Sequence, residues 1–278
     1  MTFFDKLQWS YWLNASPSER KEILQGFADY ISADLGIPQQ INLEEKTYYD
    51  ARTLGNHNRE NEVEIGIKSK LISSNVRGDN FLAMETIMHE LRHVYQDIAV
   101  NDIEQLTIDK RPTNIQIELW RENQNYYFEP SIDELKYYIQ STEHDTRKYS
   151  YDKMCELEEH FRTGDEFDKE DYENFVISQY ENEQRIVDSA VNNYGLGFEK
   201  KIAREIALES NKIALQRENI AAESAISTQE KNEVTNQKGY PLEQSQKTQP
   251  SKQTPPQIID KEFAPKKDYS PNRDFRDR

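Results

Sequence analysis

Between positions 79 and 98, apolar side chains return every three or four residues: Phe81, Met84, Met88, Leu91, Tyr95 and Ile98. Ile87 and Val94 widen the stripe. That period predicts a helix with most of its surface in a core, capped by Asp79 or Asn80. A second helix is predicted from Leu24, Phe27, Ala28, Ile31 and Leu35. Ser16 suits its N-cap, Pro17 its first position, Glu19 a capping box and Gly36 its stop. Positions 41–45 read as a strand. Val63, Ile65 and Ile67 alternate with Glu64 and Gly66, a second strand buried on one face. Gly55-Asn56-His57-Asn58 between them is rich in turn formers and predicts a turn. The pattern as a whole predicts an α+β domain followed by helices.

The periodicity fades after about 216. From 217 onward there is no tryptophan, and six of the ten prolines fall there, among many Gln, Ser, Thr and Lys. Such a segment buries too little apolar surface to offset its conformational entropy, so 217–278 is expected to be a disordered tail. Within the folded part, 151–185 holds 12 acidic against 4 basic residues, a net of −8. Positions 164–216 therefore read as an acidic helical extension of a domain at 1–163, with a solvated face or a surface for a basic partner.

Charge and composition narrow the function classes. A net charge of −16 argues against a general nucleic-acid binder, which needs clustered Lys and Arg. No run approaches the ~18–20 apolar residues of a membrane span. One cysteine, Cys155, leaves no intramolecular disulfide and no four-cysteine zinc site. The N-terminus lacks a basic leader with an apolar stretch, so the cytoplasm is the expected compartment. No glycine-rich nucleotide fingerprint is present.

The five histidines are His57, His89, His93, His144 and His160. His89-Glu90-Leu91-Arg92-His93 lies on the first helix. Histidines at i and i+4 project from one side, one turn apart, and can share a metal. Neutral imidazoles suit zinc, and Glu90, directly after the first histidine, is placed to act as a base beside the metal. In a chain this poor in histidine the pattern arises by chance on the order of one per cent of the time. Zinc then needs a third protein ligand. Candidates are His144, His160 and downstream carboxylates. Thr142 and Asp145 form a variant capping box that starts a helix at Glu143, which would place Glu143 in its first turn. Only one of Glu143 and His144 can face the metal, since helical neighbours point roughly 100° apart. Tyr149, Met154, Leu157 and Phe161 are this helix's inward candidates. Asp97 and Asp145 are candidates to hold a ligating imidazole. His57 reads as a turn residue and His160 as part of an acidic helical surface.

The pair H-E-L-R-H-x-Y-Q (89–96) and E-x-D-x-x-x-Y-S (143–150) resembles the ImmA/IrrE-type zinc metallopeptidases and the gluzincin-like domains grouped with them. The resemblance spans about 17–163. It implies a small zincin-like fold, His89, His93 and Glu143 as Zn2+ ligands, and Glu90 as general base. Thr146 stands where the group usually has a smaller residue. The 93–143 interval is long and holds Trp120, Tyr126, Tyr127 and Pro130, expected as an insertion over the cleft. In zincins an edge strand just before the active-site helix, here 63–67, receives the substrate as an added strand. The resemblance implies a protein or peptide substrate, in some members a repressor or regulator; the charge and the lack of an apolar run argue against a nucleic-acid or membrane partner.

The leading expectation is therefore a zinc endopeptidase. The alternative is a catalytically silent zincin-fold interaction module of a mobile element, which has no need of an intact Glu90. Zinc-dependent hydrolysis of a non-peptide substrate is a third reading.

Overall fold

The computed structural model describes residues 3–48, 53–57, 64–162 and 166–237. The elements run α1 (Phe3–Leu7), α2 (Trp9–Trp12), α3 (Pro17–Leu35), β1 (Asn42–Lys46), β2 (Gly55–His57), β3 (Glu64–Lys68), α4 (Ser69–Ser73), α5 (Asp79–Asn101), α6 (Asn114–Asn125), α7 (Glu134–Ile139), α8 (Ser141–Arg162), α9 (Glu166–Tyr194) and α10 (Phe198–Gln237). The protein is mostly helical with one small three-stranded sheet, an α+β arrangement. No helix among the described residues is long and apolar enough to cross a membrane.

The two strongly periodic segments form the helices expected of them. In α3 the Ser16 hydroxyl accepts from Glu19 N at 3.2 Å, and Gly36 closes the helix at φ 74°. The Glu19 carboxylate takes the Tyr11 hydroxyl at 2.5 Å, so only the serine half of the predicted capping box is present. Along α5 the whole predicted stripe is buried, from Phe81 to Ile98. Its N-cap is Gly78 at φ 86°, not Asp79 or Asn80. Asn80 is inside the helix, where its side-chain amide donates to Leu7 O at 2.9 Å and ties α1 to α5. The Asn80 side chain is thereby committed to a tertiary acceptor instead of a helix cap.

The sheet corrects two expectations. Gly55–His57, predicted as a turn, is strand β2, pairing antiparallel to β3 with His57 opposite Ile65 and Gly55 opposite Ile67. Turn-forming Gly and Asn lose to a tertiary partner, since strand formation depends strongly on context. Strand order is β1-β3-β2, so β3 is the centre of the sheet and not a free edge for an added strand. Val63, in the predicted strand, lies outside the described residues, and Gly66 is buried along with Ile65 and Ile67.

Residues 1–225 form one compact unit. Within it, α3, α5, α8 and the sheet share a core that also takes Tyr172 from α9, stacked on Phe161 at 4.5 Å. Trp120 is buried in this core, 6.0 Å from Tyr95, and so does not lie over a cleft. A smaller apolar cluster joins Phe128 and Ile139 to Ile186, Ala190, Phe198, Ile202 and Ile206. Helix α10 passes the expected boundary at 217 and reaches Gln237. Positions 217–237 have no proline or glycine and are rich in Ala, Glu, Gln and Asn, so nothing there breaks a helix. The rest of the expected tail, 238–278, lies outside the described residues.

Candidate metal centre

Helix α5 presents His89 and His93 one turn apart, and the first turn of α8 presents Glu143 to both. His93 Nε2 is 3.2 Å from His89 Nε2 and 3.2 Å from Glu143 Oε1, and His89 Nε2 is 3.5 Å from Glu143 Oε2. Glu143 is 2% exposed and Glu90 8%. The Tyr127 hydroxyl, from the connection between α6 and α7, donates to Glu143 Oε1 at 2.5 Å.

The group His89, His93 and Glu143 can hold a metal ion. Two donors each about 2.0–2.1 Å from one tetrahedral ion lie about 3.3 Å apart. The His89–His93 and His93–Glu143 Oε1 separations fall close to that value, while His89 meets the other Glu143 oxygen at 3.5 Å. The imidazole orientation is also suitable. Gln96 donates through its side-chain nitrogen to Thr142 O at 3.1 Å and to Asp145 Oδ2 at 2.8 Å, which fixes its oxygen toward His93. His93 Nδ1–H donates to that oxygen at 3.0 Å, so Nε2 is left with its lone pair toward the other donors. Asp145 thus acts on His93 through Gln96, while its other contacts are the Arg92 guanidinium at 2.8 and 3.1 Å.

The charges of the site act on one another at short range. Burial pulls the His89 imidazole down, but the hydrogen bond to Glu143 and the charges of Glu143, Glu90 and Glu85 outweigh it and raise it to about 9. Burial pushes Glu143 up, yet His93 and His89 hold it well below the ordinary carboxylate range. Glu90 is likewise lowered, burial being outweighed by His57, His89 and His93. Burial and the Glu143 carboxylate raise Tyr127. A metal ion entering this group would compete with protons for the same donor atoms.

His144 does not join the group. It points to α9, with Nε2 3.4 Å from Glu183 Oε1, beside Arg147. Thr142 is not a cap either, because α8 begins at Ser141, and the Thr142 amide and hydroxyl both donate to Asn123 Oδ1. His160 is exposed and stacks on Phe4 at 3.8 Å. Of the inward candidates on α8, Met154, Leu157 and Phe161 are buried, and Tyr149 is partly buried against the core.

Three residues at the site have a role that sequence reasoning did not assign. His57, read as a turn residue, stacks on His93 at 5.2 Å and bonds Asp97 Oδ2 through Nε2 at 2.9 Å. Its imidazole, pulled down by burial, is raised to about 9 by Asp97 and Glu90. Gln96 and Tyr127 are the other two. Gln96 closes the 89–96 motif and lies at i+3 from His93, and Tyr127 stands in the interval expected over the cleft, but among 16 tyrosines nothing in the sequence singles it out as the partner of Glu143. Comparison of the chain with family models, with curated proteins and with solved structures finds no match.

Proposed function

We propose that the chain is a zinc-dependent endopeptidase of the ImmA/IrrE, gluzincin-like kind. The observation that carries this reading is the convergence of His89, His93 and Glu143 from two helices on one point, with the buried carboxylate of Glu90 beside it. A zinc ion held by these three side chains would supply Lewis acidity, polarising a carbonyl and making bound water a better acid. The chain's own chemistry follows from its residues. Glu90, lowered from its ordinary value by the neighbouring histidines, is ionised at neutral pH and able to take a proton. It removes the proton from the attacking water and returns it to the departing amine, so the peptide bond gains one water and no other reactant is needed. His93 is held in its ligating tautomer by Gln96, and Glu143 is oriented by Tyr127. The resemblance suggests a protein substrate, a repressor or regulator.

The test is Glu90→Gln, which keeps nearly the same shape and removes the base. Zinc content should match wild type while peptide hydrolysis falls by about 10²–10⁴-fold. Equal activity in the variant would remove Glu90 from this role. A wild-type chain that binds zinc and cleaves no peptide would favour the silent interaction module.

A further inference from the structure

Arg92 stands directly before His93 on α5. Arg92 and Gln96 are four residues apart, so they share one face of that helix, and both reach Asp145 on α8. The Arg92 fork meets Asp145 with two bonds, Nε donating to Oδ2 at 2.8 Å and Nη2 to Oδ1 at 3.1 Å. The guanidinium is also packed among three rings, its central carbon 4.4 Å from the centroid of Tyr95, 5.0 Å from Tyr149 and 5.5 Å from Trp120. A planar cation suits both sets of contacts, since a lysine ammonium has neither the fork for a carboxylate nor the flat face for a ring.

We propose that Arg92 is a positioning residue of the metal centre, acting on His93 through Asp145 and Gln96. Asp145 Oδ2, aimed by the fork, accepts from the Gln96 amide nitrogen at 2.8 Å. An amide has one donor end and one acceptor end, so that bond turns the Gln96 oxygen to His93 Nδ1, 3.0 Å away. The ring is then held with Nε2 3.2 Å from both His89 Nε2 and Glu143 Oε1. Each link from Arg92 to His93 is within hydrogen-bond range, and none needs a charged imidazole. The clamp acts a second time at the same place. Asp145 is two residues from Glu143, so the fork also ties the helix of the two histidines to the helix of the third donor. Thr142 O accepts from the Gln96 nitrogen as well, at 3.1 Å, and as backbone it stays when Arg92 is changed. The loss on removing the fork is therefore partial. The inference rests on the metal-binding part of the reading above and not on hydrolysis.

Zinc affinity of the full-length chain, read by competition with a chelator, decides it. Arg92→Lys keeps the charge and loses the fork. It should weaken zinc about 10-fold, the low end of the range for groups that hold a metal ligand, because Thr142 O keeps its bond to the amide. Wild-type affinity in Arg92→Lys overturns the proposal. A double-mutant cycle with Gln96→Met separates positioning from general support of the fold. With the amide gone, Arg92→Lys should cost no further zinc affinity, and an undiminished loss in that background overturns the proposal. If Gln96→Met fails to fold, the visible spectrum of cobalt-loaded Arg92→Lys decides. Its bands report donor geometry at the ion and should move, and bands identical to wild type overturn the proposal. If wild type binds no zinc, the metal reading and this inference fall together. If it binds zinc and cleaves no peptide, the endopeptidase reading falls alone, and the affinity cycle still decides.

Discussion

The donor group and the smaller apolar cluster both draw on the short stretch from Tyr126 to Glu143. Around the donor group the buried side chains include Glu90, His93, Gln96, Asp97 and Glu143, and each has a polar partner. The cluster of Phe128, Ile139, Ile186, Ala190, Phe198, Ile202 and Ile206 is apolar throughout. Burying charge costs stability even when it is paired, whereas apolar packing contributes it. The first region has the composition of a site and the second that of a support. They meet at Tyr127 and Phe128, adjacent residues of which one donates to Glu143 and the other packs in the cluster. Gln140, fully buried, joins them again, its oxygen accepting from Phe128 N at 3.0 Å and from Asn123 Nδ2 at 2.9 Å.

The comparison breaks first at the histidines. The double variant His89→Ala/His93→Ala should lose essentially all zinc in metal analysis of the purified protein, while apolar packing around the smaller cluster persists. Full zinc retention would remove the donor group from any metal role. Glu143→Ala should weaken binding and His144→Ala should leave it unchanged, since His144 faces Glu183. The reverse pair of outcomes would transfer the third-ligand role.

The opposite experiment targets the support. Phe198 is 7% exposed within the cluster, and Phe198→Ala should cost about 3–5 kcal/mol in denaturant unfolding. Zinc content per folded chain should stay at the wild-type value. Loss of zinc at full folding would show that the two regions are one cooperative device. Tyr127→Phe sharpens the boundary between them. It removes the hydroxyl on Glu143 and keeps the ring, so zinc affinity should fall by about 10–100-fold with little change in stability. Competition with a chelator measures it, and an unchanged affinity would make that hydroxyl irrelevant to the ligand.

What was legible in the sequence follows the same division. The stripe of α5 and the capped stripe of α3 could be read because helical period and end chemistry are local properties. The two histidines at i and i+4 were legible for that reason too, and Glu143 through a short local pattern. Strand β2 was not, because its reason to be extended is β3, seven or more residues away, while its own Gly and Asn favour a turn. His57 was lost with it: what makes it part of the site is Asp97, forty residues on, and no local spacing carries that. Asp97 itself continues the 89, 93 series by one more turn and could be named as a candidate. The cap assigned to Thr142 failed because a buried partner, Asn123, took its hydrogen bonds.

The smallest expected effect concerns the face of α8 that meets α9, where Glu183 pairs with His144 and Arg147. Burial pushes the Glu183 carboxyl up, but His144 and Arg147 outweigh it and bring it down to about 2 from an ordinary value of 4.5. A carboxyl whose folded-state pKa is depressed adds stability that is present above its unfolded value and is lost as pH falls through the folded one. Wild type should therefore lose this contribution between about pH 4.5 and about 2, and Glu183→Gln should lack it at every pH. The position is partly open to solvent, and screening there keeps the difference on the order of 1 kcal/mol. Thermal unfolding of both proteins across that interval reads it as two curves that are apart at neutral pH and converge in acid. Every other carboxyl is common to both proteins and cancels in the difference. Curves that stay parallel would show that Glu183 is solvated and that Arg147 finds its partner elsewhere. Because His144 rather than the donor group is involved, zinc content should be the same in both proteins at neutral pH, which separates this face of α8 from the one that carries Glu143.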